Sequence, residues 1–417
     1  MSTSTCTEPQ ASARRDVTPA VTRASRERIV TGPLALVFLA EFCALTSFSL
    51  PFSVLPRYAS AAGASSAGAG LVTAMLLLGT VAAELAAPAL MRRFEFRSLL
   101  AAGLLLLGVP ALALLTGGGL AGLVTVSVVR GFGFGLSTVL TSALTAELLP
   151  ADRRGEGLGL YGVAAMAPEV IALPAGVWLA DHYGIGLVVV LTAASALIPA
   201  AVLRRLPAGL GRQMTARPGA GSGRSDGLLA GLRRGGQLRS FLIFASSTVA
   251  AGVIASFLPL AAGVASNIVV VGLLVQALMA TITRWWAGRL GDRHGHARLL
   301  VPALTVAAAG MITMIGLSSP VAVIVGMCLF GAGFGVCQNA TLALMIDRMP
   351  ASTGTASALW NLAYDAGYGA GPAAFGLFVG HIGFPVAFAI TGALMLVALP
   401  VARRERTGAA IPARRRG

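Results

Sequence analysis

Six ionisable residues lie inside long apolar stretches of this 417-residue chain: Glu41, Glu84, Arg130, Glu169, Arg284 and Asp365. A charge in hydrocarbon is costly, so such residues mark substrate pathways or proton relays by default. Desolvation favours the neutral form of a carboxyl and a nearby cation its charged form, so a carboxyl held between the two can exchange a proton as its surroundings change. The chemistry on offer is proton exchange, with Glu41, Asp365 and Glu169 as candidate carriers. Asn361, Asp365, Tyr368 and Pro372 recur at the i, i+4, i+7 and i+11 spacing of one helix face, bordered by Trp360 and Tyr364. Facing lipid, that polar stripe would be costly, so it is expected to face the other half of the protein or a cavity. The plainer reading is an interhelical hydrogen-bond network. Gln338, Asn339 and Thr341 add polar groups nearby, and Glu169 lies between Pro168 and Pro174, where interrupted backbone bonds could also use it as a partner.

The elements that must hold these residues are membrane helices. The chain is 56% hydrophobic and 11% charged, with a mean hydropathy of +0.81, whereas soluble globules carry about 25% charged residues. Its apolar blocks are long enough to cross about 30 Å of hydrocarbon, and they are continuous rather than alternating, which predicts helices and not a barrel. Twelve spans are expected, at about 34–56, 68–91, 98–116, 120–146, 155–180, 185–203, 240–262, 267–288, 298–318, 320–346, 352–380 and 384–402. All 31 basic residues are arginine, and 28 fall on the side of the termini. By the positive-inside rule this predicts a multi-pass protein of the cell membrane with both termini cytoplasmic. Counting depth at 1.5 Å per residue from the expected span ends, Arg284 lies ~7 Å deep, Glu84 ~12 Å and Asp365 ~20 Å. Arg284 can then snorkel to the surface, and its depth differs too much from that of Glu169 for a salt bridge. Arg130, ~15 Å from the other end of its helix, needs a counter-charge or several carbonyls.

The expected organisation is a polar, disordered tail over 1–33, a six-helix bundle over 34–203, a basic linker over 204–239 that touches anionic lipid, a second bundle over 240–402 and a basic tail over 403–417. Arg14-Arg15 is followed by Asp16 and Pro19, which speaks against a twin-arginine signal, and the first apolar block is long enough to remain as a span. Cys6, Cys43, Cys328 and Cys337 form no metal or disulfide pattern. The two halves repeat at a constant offset of 200: Arg130–Gly135 (R-G-F-G-F-G) aligns with Phe330–Gly335 (F-G-A-G-F-G), and 128–151 matches 328–351 at 9 of 24 positions. An offset that does not drift means two halves with the same order and direction, the mark of a parallel-repeat transporter. Glu84 and Arg284 are equivalent positions in the repeat, which points to bundle packing or a gate.

At these residues the chain resembles the major facilitator superfamily, over about 34–402. Gly288–Arg298 (G-R-L-G-D-R-H-G-H-A-R) looks like the superfamily's loop motif between the second and third helices of each half. Arg130-x-x-Gly133-x-Gly135 looks like its fourth-helix motif, and Leu173-Pro174-Ala175-Gly176 and Ala370-Gly371-Pro372-Ala373 resemble the fifth-helix antiporter motif and its eleventh-helix counterpart. The resemblance implies an all-α membrane fold of twelve helices in two six-helix bundles, with the loop motif clamping them on the cytoplasmic side. The first-half copy has Arg92 in place of the acid and Glu95 in place of the turn glycine, so Gly288, Asp292, Arg293, Gly295 and Arg298 are expected to do more of the clamping, with Glu84 nearby. Asp292 is expected to cap the fifth helix or pair with Arg153 or Arg154. The superfamily's first and fourth helices line a central cavity, so the resemblance sets Glu41 opposite Arg130 and makes Glu41 either the main proton carrier or one half of a purely structural pair. The fifth-helix motif has lost one glycine of its Gly-Pro pair, which weakens the inference from it to export.

The function expected from these features is secondary active transport by alternating access, as proton-coupled efflux of a small amphipathic organic compound. The cavity is expected to mix Glu41, Arg130, Gln338, Asn339, Asn361, Tyr364, Asp365 and Tyr368 with Phe and Met walls. No phosphate-binding loop of the G-x-x-x-x-G-K-[ST] type is present, so the energy source is expected to be an ion gradient. The alternative is uptake of a small polar or anionic metabolite with Arg130 on its carboxylate. A non-transporting receptor or a membrane enzyme is a remote third, since the sequence has neither a soluble sensing domain nor a nucleophile–base constellation. The expected partners are a small-molecule substrate, protons and membrane lipid, with the chain acting as a monomer. No cofactor, metal or nucleic acid is expected; a basic folded face with base-reading groups is not visible.

Overall fold

The computed structural model of the chain describes residues 31–148, 154–203, 231–233, 236–261, 264–349 and 353–408. The expected tail over 1–33, linker over 204–239 and tail over 403–417 lie largely outside them, as does Cys6. The described elements are all helical. The first half contains α1 (Gly32–Phe52) with its short continuation α2 (Leu55–Ala61), α3 (Ser66–Arg93), α4 (Phe96–Leu112), α5 (Gly119–Leu148), α6 (Arg154–Tyr183) and α7 (Ile185–Val202). The second contains α8 (Gln237–Phe257), α9 (Ser266–His294), α10 (Leu300–Thr313), α11 (Pro320–Arg348), α12 (Thr353–Ile382), α13 (Phe384–Leu396) and α14 (Leu399–Gly408). Ten spans among the described residues are long and apolar enough to cross a membrane. The 30-residue helices α6 and α12 bring the set to twelve.

Local chemistry sets several helix ends. Ser65 accepts a hydrogen bond from the Gly68 N–H (3.3 Å) and Ser319 one from the Ala322 N–H (3.4 Å), capping α3 and α11. Gly184 and Gly383 turn the chain after α6 and α12 at φ 80 and 77, where a side chain would be strained. One end of the helix array, the basic face, carries the turns at Arg93, Gly295 and Arg348 together with the start of α1 at Gly32 and the end of α14 at Gly408. At that face the buried Glu405 of α14 gathers Arg239 (3.1 Å) and Arg348, joining α8, α11 and α14. At the opposite face Arg57 and Asp181 pair at 3.0 Å, tying α2 to α6.

The offset of 200 reappears in the packing. A Cβ added at Gly131 of α5 would run into the Leu76 carbonyl of α3, and one at Gly331 of α11 into the Gln276 carbonyl of α9. Gly133 likewise meets Gly103 and Gly333 meets Ala303, while Gly135 meets Thr80 and Gly335 meets Ala280. Each contact in the second half is the first-half contact displaced by 200 residues. The glycine-rich motif is therefore where helix backbones touch, which lipid-embedded helices need because dispersion and not water expulsion holds them together. Side chains stitch the same places: the Thr80 hydroxyl donates to the Gly131 carbonyl (3.2 Å) and that of Thr283 to the Ala332 carbonyl (2.9 Å).

The two bundles meet along two seams, α3 against α12 and α6 against α9. The α3–α12 seam is closed toward the opposite face. There Gly70 lies against the Pro372 carbonyl, Gly376 against the Ser66 carbonyl, and Thr73 shares a hydrogen bond with Ser256 of α8 (3.1 Å). Gly131→Ala and Gly331→Ala should each destabilise the protein by about 1–3 kcal/mol through overpacking. Gly122→Ala, with open space around its added Cβ, should instead gain about 0.5–1 kcal/mol. Thermal unfolding of the detergent-purified variants reads both signs; equal behaviour at the three sites would contradict the packing account.

Candidate functional site

Each seam carries ionisable groups near mid-depth, and the repeat places them. Glu84 of α3 and Arg284 of α9 are equivalent positions, and both point across the bundle interface. At the first seam the Glu84 carboxyl comes within hydrogen-bonding reach of the buried Asp365 carboxyl of α12. Two carboxyls can hydrogen-bond only if a proton lies between them, and with both ionised they repel. At the second seam Arg284 faces Glu169 of α6 and interacts with it electrostatically. The first seam therefore needs a proton to be quiet, while the second is neutral without one.

That second pairing corrects the depth estimate made from the sequence. The span ending near 288 was expected to leave Arg284 shallow, but α9 runs on to His294. Arg284 thus lies ten residues, ~15 Å, from the helix end. Its guanidinium sits 5.8 Å from the Trp360 ring centroid. Across the interface, the Tyr364 hydroxyl donates to Glu169 Oε1 at 3.0 Å, so α6 and α12 are bonded directly. Glu169 answers a side chain of the other bundle, whatever the prolines beside it leave open in the backbone.

Beside Glu169 is a cavity of about 30 Å³, lined by Leu173, Gln276, Phe334, Gln338 and Tyr368 among others. Most drug-sized pockets occupy about 300–1,000 Å³, so in this state the cavity admits only water-sized groups. Phe334 and Tyr368 are its aromatic lining, and further rings gather around Tyr368 and along α12. Tyr364 stacks on Tyr368 at 5.3 Å, Trp360 on Phe244 at 4.5 Å, and Phe52 of α1 meets Tyr368 edge-on at 5.3 Å. Aromatic residues are only 6% of the chain, and one group of them gathers where the bundles meet while another (Phe257, Phe375, Phe384 and Phe388) packs inside the second bundle. The Trp360 indole donates to the Thr341 hydroxyl at 3.1 Å, which fixes that ring.

Glu41 and Arg130 are not brought together. The Glu41 carboxylate, 3% exposed, accepts a hydrogen bond from the Thr141 hydroxyl of α5 at 2.5 Å. Thr141 is eleven residues beyond Arg130, ~16 Å along the helix, so the two charges sit at different depths. The fully buried guanidinium of Arg130 donates instead to the carbonyls of Ser47 (2.7 Å) and Leu107 (3.1 Å). Both residues lie inside the first bundle and neither lines the cavity described above.

The remaining expected residues separate similarly. Asn339 lies against Gly288, between α11 and α9 of one bundle, and Asn361 is exposed. Gly295 makes the expected tight turn at φ 90. Asp292 pairs with His296 Nε2 at 3.3 Å rather than reaching the other bundle among the described residues; Arg153 and the Arg154 side chain lie outside them. Arg293 and Arg298 are exposed at the basic face. Gln276 and Thr281 of α9 also line the cavity; uncharged, they are marked in the sequence only by a glutamine inside the apolar run L-L-V-Q-A-L. No group of three or more His, Cys, Asp or Glu that could hold a metal occurs among the described residues.

Comparison with known proteins agrees with this architecture. The sequence pattern of the Major Facilitator Superfamily matches residues 37–372 and again 241–416. Multidrug resistance protein MdtG of Klebsiella pneumoniae (strain 342) is 27% identical over 269 residues, 61% of this chain. The chain spans 63% of the length of that relative. The solved nucleoside transporter NupG shares 11% identity at a TM-score of 0.70, over 90% of this chain and 99% of that one. The inward open xylose transporter XylE from E. coli shares 14% at 0.70, over 89% and 95%. At such identities the likeness concerns the fold alone. With the family pattern matched along most of its length and twelve helices in two repeated bundles among the described residues, the chain is a multi-pass membrane protein belonging to the Major Facilitator Superfamily.

Proposed function

We propose that this transporter exports a small amphipathic organic compound in exchange for protons, and that the Glu84–Asp365 pair carries the proton. The observation behind this reading is the acid–acid contact across the α3–α12 seam. A shared proton holds the bundles together there, and losing it sets two like charges against each other. Proton loss and bundle separation are then one event, which is what coupling requires. Glu169 and Tyr364 act as the second latch, beside an aromatic lining suited to an apolar ring system and two glutamines suited to a polar end. Glu41, bonded to Thr141 inside the first bundle, serves structure in this scheme. The likeness to a multidrug resistance protein supports export, and Arg130, which donates to two carbonyls inside the first bundle and does not line the cavity, gives the uptake reading no carboxylate site there.

The arginine bias makes the basic face cytoplasmic. The closed end of the α3–α12 seam is then the outer gate, and the substrate enters from the cytoplasm as the bundles part around the cavity. Asp365→Asn and Glu84→Gln each keep a hydrogen-bond donor but remove an exchangeable proton. Both should lower substrate-driven proton release from inverted vesicles at least tenfold while the protein stays folded in the membrane. Glu41→Gln, which can still accept from Thr141, should keep most of it. Full proton release from both seam variants would sink the assignment.

Tyr364→Phe keeps the ring and removes the bond to Glu169. A lost hydrogen bond of about 1–3 kcal/mol should shift the balance toward the state open at the opposite face by about 5- to 150-fold. Distances between spin labels on α2 and on the α8–α9 turn read that shift; an unchanged distribution would mean that the bond is no latch.

A further inference from the structure

We infer that the outward face of α9, at its basic end, is a binding site for the headgroup of an anionic phospholipid, built by Trp286, Arg289 and Arg293. Val271, Leu278, Ile282, Trp285, Arg289 and Arg293 fall within about 80° of arc on this helix. All six are exposed, whereas Ala280, Ala287 and Gly291 on the other side are buried. Along that stripe the chemistry changes in the order of a membrane leaflet. Val271, Leu278 and Ile282 suit hydrocarbon, Trp285 and Trp286, 61% and 54% exposed, suit the interface, and the arginines lie where phosphates would be. From Ile282 to Arg293 the rise is ~16 Å.

Two observations make this more than a generic aromatic belt. The Arg289 guanidinium lies over the Trp285 ring, 3.9 Å from its centroid. Stacking of that kind fixes the planar fork and leaves its N–H edges free to meet a phosphate. Trp286, Arg289, Leu290 and Arg293 also enclose a groove of about 220 Å³, an apolar and aromatic wall with two cations at its rim. Neither arginine has an acidic partner among the described residues, and the neighbouring Asp292 is engaged by His296. Two positive charges with no acid beside them among the described residues favour a lipid with net negative charge over a zwitterionic one.

The test is native mass spectrometry of the purified full chain, titrated in detergent with dioleoyl phosphatidylglycerol or dioleoyl phosphatidylcholine. Wild type should retain phosphatidylglycerol preferentially. The Arg289→Gln/Arg293→Gln pair should weaken that retention by about fivefold per arginine without changing phosphatidylcholine binding. Arg403→Gln, at another exposed arginine of the same face, should leave the preference intact. Equal retention of the two lipids overturns the proposal, as does a double variant that binds phosphatidylglycerol like wild type. Displacement of the lipid by free glycerol phosphate would also overturn it, since the groove would then be a small-anion site.

Discussion

Hydrocarbon offers a buried charge no water, so every ionisable group in these helices must be answered by protein. The chain gives four different answers. Arg130 is met by two backbone carbonyls, Glu41 by a threonine hydroxyl, Glu169 by a tyrosine hydroxyl and a facing arginine, and Asp365 by a second acid. Only the last depends on a particle that can leave. The first two lie within one bundle and serve its rigidity, whereas the other two bridge the bundles and so bear on their relative position.

Rigid bundles are what make such bridges meaningful. The glycine contacts at a fixed displacement of 200 press α3 on α5 and α9 on α11 with almost no side chain between them. A body packed in that way moves as a unit, since interiors this dense are bistable rather than gradually deformable. Duplication then gave each seam one position from α3 or its copy α9. Divergence made one an acid and the other a base, so two seams of common origin acquired different chemistry.

The fold was legible because its signals are long: apolar blocks, an arginine bias and a repeat that never drifts. The candidate site was legible only in its parts. The polar stripe at Asp365 indicated a face turned toward the other bundle, and α12 does turn Asp365 and Tyr364 there. Which group would meet Asp365 depends on how α3 docks against α12, and no spacing within one helix encodes that. Depth was misjudged for Arg284 because hydropathy ends where charge begins, whereas the helix continues for ten residues past it. Arg130 shows the converse error. An acid was sought where backbone sufficed. Pro51 lacks the N–H that would bond the Ser47 carbonyl, so that acceptor was legible in the sequence, whereas the approach of the Leu107 carbonyl from α4 was not.

The smallness of the cavity between the bundles has a consequence of its own. A chamber that admits only water-sized groups when the seams are shut means that any larger ligand binds an opened form. Its apparent affinity is then its intrinsic affinity diluted by the population of that form. Residues that never touch the ligand can therefore tighten or weaken its binding simply by changing how often the chamber is open. Selectivity in such a protein becomes partly a property of the hinge, and a broad range of ligands can share one site without any of them fitting it closely.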